Sequence, residues 1–327
     1  MTPFRRILVP MDFGPAANQA LRQAMDLSRT FGAAVTVVHV LDVPSYAYSA
    51  MSFSAVDLMT PFEDTARQEL EQTTRRVCGA SGNATPLLKR GIAAEAILAS
   101  IDETGADLVV MGTRGRHGVA HALLGSVAER LVRLSPVPVL TVRAPDDAKL
   151  GEDATGALGV APIRKIVVPV DFGEVSEWAL DETLTLASSL GAKGVIALHA
   201  QEYSLLGLEA IPGAGAPDLP QRLTRAAEDA LRDSIERRRG QARDVLLEGA
   251  LKQGIPWSQI VDFAARSNAD AIVMGTHGRR GLTRAFLGSV AEKVVRYATV
   301  PVLTMHGPAV PPTKHVSSPD ETAPHGR

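Results

Sequence analysis

The sequence predicts an α/β protein made of two tandem domains, each with a five-stranded parallel sheet and helices on both faces. Short apolar runs rich in β-branched residues alternate with segments of helical periodicity, which is the pattern of parallel strands joined by crossover helices. The complete pattern then occurs a second time. Residues 111–142 and 274–305 share 20 identities in 32 ungapped positions, far more than chance allows. We therefore interpret the chain as a tandem duplication of one domain.

The first half supplies each element of such a domain in order. A buried strand at 5–14 ends in a loop at Asp12, and Gly32 is expected to end the helix that follows. The stretch 42–61 lacks clean periodicity and is expected to be a long loop. The remaining predicted elements are helices at 15–31, about 61–78, 93–102 and about 121–134, and strands at 34–40, 85–89, 107–111 and 137–142.

The second half repeats the first, second, fourth and fifth strands at 164–173, 193–199, 270–274 and 300–304, and its residues 251–255 match 88–92 at the end of the third strand. Between the halves, 144–162 is rich in Asp, Gly and Ala without apolar periodicity, which is typical of a linker. The Pro-rich stretch 307–327 is predicted to be a disordered tail. The two domains are accordingly placed at 1–143 and 163–306.

Composition and charge argue against several classes of function. The chain has 327 residues, of which 45% are hydrophobic and 21% charged, the balance of a globular protein with room for two cores. A net charge of −2 and an aromatic content of 4% argue against nucleic acid or an anionic membrane as partner. Cys78 is the only cysteine, so no intrachain disulfide can form. No apolar run is long enough for a signal peptide or a membrane span, and we expect a cytoplasmic protein.

A glycine-rich loop follows the fourth strand of each half. It reads Gly112-x2-Gly115-x9-Gly125-Ser126 in the first half and Gly275-x2-Gly278-x9-Gly288-Ser289 in the second. Glycines let an anion approach the backbone, and the serine lies at the start of a helix, whose dipole favours negative charge. The glycines are expected to leave backbone N–H groups open. The unchanged spacing indicates a site for nucleotide phosphates rather than a flexible turn, although neither loop is a Walker A motif or a dinucleotide fingerprint.

Asp12 and Asp171 directly follow the first strand of each half, within Pro-x-Asp-Phe-Gly. Because the carboxyl ends of parallel strands share one sheet edge, Asp12 should neighbour Gly112, and Asp171 should neighbour Gly275. Ligands bind at such an edge where the strand order reverses. The alternative is that each Asp only caps the next helix. We favour contact with a ligand.

These openings and loops resemble those of the universal stress protein family in its tandem form, whose domains are grouped with adenine nucleotide α-hydrolase-like, Rossmann-like folds. The resemblance covers about 5–143 and 164–306 and implies the strand order 3-2-1-4-5. In ATP-binding members of the family the loop holds the phosphates and ribose, and the Asp approaches the adenine or ribose. The resemblance therefore implies one ATP site per domain, with Mg²⁺ as an optional companion ion.

The cofactor-binding residues that the resemblance implies fall at matching positions in the two halves. Val40 and Ala200, at the ends of the second strands, would offer backbone atoms to adenine. The implied set in the first half is Pro10, Met11, Asp12, Val40, Met111, Gly112, Gly115, Arg116, Gly125, Ser126 and Val127. The implied set in the second half is Pro169, Val170, Asp171, Ala200, Met274, Gly275, Gly278, Arg279, Gly288, Ser289 and Val290.

Other polar side chains have plainer interpretations. His39 and His199, at equivalent strand ends, are interpreted as packed histidines that bond to backbone rather than as metal or catalytic groups. No metal site and no catalytic residue is predicted. Four side chains inside the loops either screen phosphate charge or are solvated, namely Arg116, His117, Arg279 and Arg280.

Access and assembly depend on segments that the repeat does not explain. The inserts at 42–61 and 202–220 differ between the halves and form either lids or mobile loops. The fifth strands are apolar on both faces and would be exposed edges unless something covers them. Members of the family commonly dimerise through this strand. The two copies could therefore pair within one chain as a pseudo-dimer, and two chains could associate as a homodimer.

Three functional hypotheses follow. The first is a stress-response regulator that binds ATP at two sites and hydrolyses it slowly or not at all. The second is a nucleotide-handling enzyme of a related fold, which would need a His-x-Gly-His or Ser-Gly-Gly-x-Asp-Ser signature near the first strand, and neither occurs. The third is a nucleotide-independent interaction module whose glycine loops are structural. The repeated Gly-Ser and Asp positions favour the first.

Overall fold

The computed structural model describes residues 4–41, 56–79, 84–113, 124–144, 162–202, 218–241, 244–276 and 287–307. The strands are β1 (Arg6–Pro10), β2 (Ala34–Leu41), β3 (Ala84–Arg90), β4 (Leu108–Gly112), β5 (Val139–Val142), β6 (Lys165–Pro169), β7 (Gly194–Gln201), β8 (Leu246–Gln253), β9 (Ala271–Gly275) and β10 (Val302–Met305). The helices are α1 (Pro15–Phe31), α2 (Val56–Cys78), α3 (Ala93–Thr104), α4 (Ser126–Leu134), α5 (Glu174–Leu190), α6 (Leu219–Glu236), α7 (Pro256–Arg266) and α8 (Ser289–Tyr297).

The strands of the described residues form one sheet in the order β3-β2-β1-β4-β5-β10-β9-β6-β7-β8. Within each half the order is 3-2-1-4-5 in that half's own numbering, and neighbouring strands are parallel. β5 and β10 form an antiparallel pair, with Leu140 opposite Leu303, and join the two five-stranded units into one sheet. Each apolar fifth strand therefore covers the edge of the other.

Helices cover both faces of this sheet because the strands are apolar on both faces. Along β1, Ile7 and Val9 pack into the core on the side of α1, α2, α5 and α6. Leu8 packs into the opposite core, on the side of α3, α4, α7 and α8. Each core contains residues from both halves of the chain, so the junction at β5 and β10 is buried on both faces.

Most predicted elements are present, with shifts at their ends. The helix predicted at 15–31 has those bounds, and Gly32 ends it with a φ of 68°. The helix predicted from about 61 begins at Val56 instead, so Pro61 lies inside it. The helix predicted from about 121 begins at Ser126, and 114–123 lie outside the described residues. So do residues 42–55 and 203–217, which make up most of the two inserts.

Candidate functional site

A cavity of about 210 Å³ lies at the carboxyl edge of the first half's sheet, where β1, β2 and β4 end beside the start of α4. This is the point at which the strand order reverses, since β1 is followed along the chain by β2 on one side and β4 lies on the other. Its lining is mainly apolar with a few polar groups, which is the usual composition of small-molecule sites. The lining residues are Pro10, Met11, Asp12, Ala17, Val38, His39, Val40, Ala93, Ile97, Met111, Gly112, Gly125, Ser126, Val127 and Ala128.

The turn that follows β1 is held by Asp12. Its Oδ1 accepts the backbone N–H of Gly14 at 2.9 Å, an Asx-turn that places the carboxylate before the start of α1. Phe13 within this turn has a φ of 65°, a strained conformation for a bulky residue. In the second half, Gly173 N–H donates to Asp171 Oδ1 at 3.0 Å, and Phe172 has a φ of 63°. Both halves therefore maintain the same strained turn at this edge.

His39 completes the same turn from β2. Its Nδ1 lies 2.7 Å from the carbonyl oxygen of Met11, and because a carbonyl only accepts, Nδ1 carries the proton. The imidazole also packs against Phe13, with ring centroids 4.6 Å apart and ring planes tilted by 47°. His199 makes the equivalent bond to Val170 O at 2.7 Å and packs against Phe172, with centroids 4.5 Å apart. The interpretation of these histidines as packed and bonded to backbone is confirmed.

The histidine bond leaves part of the β2 backbone open. Val38 O accepts the N–H of Met11 at 2.8 Å, so Val38 faces β1. Val40, two residues further along β2, also has its backbone groups on the side of β1. In a regular parallel ladder its N–H would donate to Met11 O, but that oxygen accepts from His39 Nδ1 instead. No backbone group of the described residues pairs with Val40 on that side. Its N–H and C=O therefore point into the cavity at a polar edge without a partner strand.

Gly112 is required by packing rather than by ligand approach. A Cβ at this position would lie 2.7 Å from Ala16 Cβ, 2.8 Å from Ala16 C and 3.0 Å from Ala17 N. The end of β4 therefore touches the first turn of α1, and only glycine allows this contact. This close approach brings the loop after β4 next to the turn after β1, as the shared-edge argument predicted for Asp12 and Gly112.

The expectation that all loop glycines leave their N–H groups open was wrong for two of them. Gly125 N–H donates to Thr113 O at 3.0 Å, and Gly288 N–H donates to Thr276 O at 2.8 Å. Each bond joins the second residue of the loop to the N-cap residue of the helix that follows. The glycines serve as helix N-caps with extended backbone, Gly125 at φ −63° and ψ 144°.

The open N–H groups belong to the first turn of α4. The first intrahelical bond at this end is from Glu129 N–H to Gly125 O, which leaves the amides of Ser126, Val127 and Ala128 without intrahelical acceptors. All three residues line the cavity. They add the positive end of the helix dipole to the apolar pocket, an arrangement suited to an anion.

The second half places its counterparts at the equivalent ends of its own elements. Pro169 ends β6, and Val170 and Asp171 follow it directly. Ala200 lies near the end of β7, and Met274 and Gly275 end β9. Gly288 is the N-cap of α8, which starts with Ser289 and Val290. Glu292 N–H donates to Gly288 O at 2.9 Å, so the first turn of α8 has the same open amides as α4. The predicted residues Gly115, Arg116, Gly278 and Arg279 lie outside the described residues, as do His117 and Arg280.

Several lining residues of the first-half cavity were not predicted. Ala93 and Ile97 lie one turn apart on α3, where their helical spacing could have placed them on one face toward the sheet. Val38 precedes Val40 by two residues on β2, but Ala17 and Ala128 carry no signal beyond being small. Within the described residues, no group of three or more His, Cys, Asp or Glu side chains is placed to hold a metal ion, and no helix is long and apolar enough to cross a membrane.

Comparison with known proteins gives a consistent result. The family model described as the universal stress protein family matches residues 3–143 and 162–306. A universal stress protein of Methanocaldococcus jannaschii is 35% identical over 147 residues, 44% of this chain and 83% of that protein. One of Mycolicibacterium smegmatis is 26% identical over 307 residues, 91% of this chain and 96% of that protein. The crystal structure of a universal stress protein from Archaeoglobus fulgidus, 19% identical, shares the fold with a TM-score of 0.61, covering 92% of this chain and 98% of that one.

Proposed function

Because the chain belongs to the universal stress protein family, we propose that it is a stress-response regulator that binds one adenine nucleotide, ATP, in each half. It hydrolyses that ATP slowly or not at all. The observation that carries the proposal is the row of open amides at the start of α4, which lines a mainly apolar cavity beside the open backbone edge of Val40. One part of the cavity suits a phosphate and another suits a flat apolar base.

The phosphates are assigned to the amides of Ser126, Val127 and Ala128. Backbone N–H groups at a helix start donate to phosphate oxygens at fixed positions, and the helix dipole adds to the attraction. The Ser126 hydroxyl provides one more donor. In the second half, Ser289 and Val290 take the same place at the start of α8.

The base is assigned to the backbone edge of Val40. An adenine ring has adjacent donor and acceptor atoms, and an unpaired N–H and C=O of one strand residue can bond both. Pro10, Met11 and Met111 offer apolar surface around this edge. Asp12 also lines the cavity, and its carboxylate can accept a hydrogen bond from a ribose hydroxyl. Pro169, Val170, Ala200 and Met274 would provide the equivalent contacts in the second half.

Turnover is expected to be slow because the polar groups of the described cavity are suited to binding. They are backbone amides, the Asp12 carboxylate, which accepts a hydrogen bond that holds the turn, and the His39 imidazole, whose Nδ1–H donates to a backbone carbonyl. Release of ADP in the presence of Mg²⁺ measures this directly. We expect the rate to stay at the level of a variant in which both sites are disabled.

Binding can be tested with Ser126→Asp and Ser289→Asp. An acidic residue in the first turn is compatible with the helix dipole, so both helices should form, but its charge repels phosphate and should weaken ATP binding at that site by roughly a thousandfold. Isothermal titration should give two ATP per chain for the unaltered protein, one for either single variant and none for the double variant. Ser126→Ala, which keeps all three amides, is the matched control and should retain most of the affinity. Undiminished binding by the double variant would exclude these sites.

The domain organisation is part of the same proposal. We assign the domains to 1–143 and 163–306, a linker to 144–162 and a tail to 307–327, and we place the protein in the cytoplasm. The antiparallel β5–β10 pair supports an intrachain pseudo-dimer, since Thr141 Oγ1 donates to Val302 O at 3.1 Å and Thr304 Oγ1 donates to Val139 O at 3.2 Å. A homodimer would then use another surface, and sedimentation equilibrium would detect it.

A further inference from the structure

The two halves treat their site carboxylates differently. Among the described residues, Asp12 accepts one hydrogen bond, from Gly14 N–H at 2.9 Å. Oδ1 of Asp171 accepts two, from Gly173 N–H at 3.0 Å and from the Ser176 hydroxyl at 2.7 Å. The same carboxylate oxygen is therefore more fully occupied in the second half.

Ser176 is the residue responsible, and Ala17 takes its place in the first half. Both are the third residue of the helix that follows the turn, α5 and α1 respectively. Ala17 lines the first-half cavity and has no side-chain donor. Ser176 is 8% exposed, and its oxygen also accepts the Asp171 N–H at 3.2 Å, so the hydroxyl is fixed between the backbone and the carboxylate.

The Ser176 proton has two acceptors within reach, Asp171 Oδ1 at 2.7 Å and Gly173 O at 3.0 Å. A hydroxyl donates to one at a time, and the charged oxygen at the shorter distance is the stronger acceptor. A ligand hydroxyl that approaches this oxygen must compete with Ser176. At Asp12 no side chain competes among the described residues.

We propose that Ser176 makes the two nucleotide sites unequal, by occupying in the second half the carboxylate oxygen that a ribose hydroxyl would use in the first. The proposal rests on the proposed function and adds to it a residue that sets affinity and sugar selectivity. The first half binds ATP more tightly. It also discriminates more strongly against a sugar without hydroxyls, since a site built around a hydroxyl leaves its polar group unpaired when that hydroxyl is missing.

The magnitude follows from the strength of a hydrogen bond to a charged group. Affinity falls by about tenfold when the ligand loses one such bond, or when a protein hydroxyl already occupies the acceptor. We therefore expect ATP to bind about tenfold more weakly at the second site. Substituting 2′,3′-dideoxy-ATP for ATP should weaken binding by about tenfold in the first half and by a smaller factor in the second.

The test uses single-site proteins and a reciprocal exchange. Ser289→Asp leaves only the first site and Ser126→Asp only the second. In the first-site protein, Ala17→Ser should raise the Kd for ATP by about tenfold, and in the second-site protein, Ser176→Ala should lower it by about the same factor. Each Kd is measured by isothermal titration with ATP and with 2′,3′-dideoxy-ATP, and thermal unfolding establishes that each variant is folded.

The outcomes separate this proposal from the one on which it rests. Two sites of equal affinity, with Ser176→Ala leaving the Kd for both nucleotides unchanged, would overturn the role of Ser176 while leaving ATP binding intact. No binding of ATP by the unaltered chain would remove both proposals together. Opposite shifts in the two exchanges, with sugar selectivity moving in step, are the result we expect.

Discussion

The two halves differ where their outer helices pack, at α1–α2 in the first half and α5–α6 in the second. In the first half the buried face of α2 consists of small, aliphatic and hydroxyl side chains such as Leu70, and the half-buried Cys78 packs beside them. Burial raises the pKa of that thiol to about 11, so it stays protonated. In the second half, Arg238, in the turn after α6, is buried against α5 with its side chain 5% exposed.

Arg238 is fully bonded despite its burial. Its guanidinium donates to both carboxylate oxygens of Asp181 at 2.6 and 3.0 Å, and to Glu177 Oε2 at 2.8 Å. Burial by itself would lower the pKa of Arg238, but the bonds to Asp181 and Glu177 raise it above its ordinary value. The sequence counterparts of these acids in α1 are Asn18 and Arg22, which cannot form the same network. The duplication has therefore kept the sheet edge and changed how the outer helices are joined.

The largest effect is expected from Arg238→Met, which removes the buried cation that bonds both oxygens of the Asp181 carboxylate, while Glu177 keeps Arg237 and Ser234 as donors. We expect the free energy of unfolding to fall by about 3 kcal/mol, since breaking a buried ion pair from one side leaves an uncompensated charge. Urea denaturation measures this change.

Arg237→Met is the matched control. Arg237 also donates to Glu177 Oε2 at 2.8 Å, but its side chain is 61% exposed, so its loss should cost less than about 1 kcal/mol. If both variants lost the same free energy of unfolding, the buried Arg238 network would stabilise the protein no more than an exposed ion pair does. The different packing of the outer helices in the two halves would then have no effect on stability.

A smaller effect is expected at the edge that both halves have kept. Gly112→Ala places a Cβ within 3.0 Å of two backbone atoms of α1, which can relax only if the helix moves. We expect a loss of about 2 kcal/mol in unfolding free energy, together with weaker ATP binding at the first site, because the cavity lies at this contact.

Gly194→Ala serves as the comparison for that variant. Gly194 starts β7, and a Cβ there would meet no atom within 4 Å. Alanine should be neutral or stabilise the strand by up to about 1 kcal/mol, because glycine loses more backbone freedom on folding. If Gly112→Ala were tolerated equally well, the close packing of β4 on α1 would not be what positions the cavity.

The features that the sequence predicted are those that depend on local pattern. The helix at 15–31, its end at Gly32 and the alternation of strands and helices follow from side-chain periodicity and from glycine at a left-handed position. The neighbouring positions of Asp12 and Gly112 followed from topology alone. The backbone bonds of His39 and His199 were predicted because a histidine within an apolar strand needs a partner.

The features that the sequence did not predict depend on atoms far apart in the chain or on hydrogen bonds that composition does not encode. Arg238 and Glu177 are 61 residues apart, and nothing in their spacing distinguishes them from solvated charges on helices. The glycine-rich loop was expected to leave the N–H group of Gly125 open, but this group donates to Thr113 O. The start of α2 was misplaced because the residues before Pro61 lack clean apolar periodicity, although the helix begins at Val56 and contains Pro61.

The smallest effect is expected for the pH dependence of the unfolding free energy. Only the second half should contribute to it through the Arg238 network, because that network contains Glu177. Burial raises the pKa of Glu177, but hydrogen bonds from Arg237, Arg238 and Ser234 outweigh it, and the net pKa lies below the ordinary 4.5. A carboxyl whose pKa is lowered by folding stabilises the protein above its unfolded pKa, and that contribution is lost as the pH falls through the folded value.

The unfolding free energy should therefore decline below about pH 4.5 more steeply in the unaltered chain than in Glu177→Gln, which cannot titrate. Urea titrations between neutral pH and about pH 3 would measure both slopes. Parallel slopes would mean that Glu177 has the same pKa folded and unfolded, and that the acid sensitivity of the chain does not distinguish its two halves.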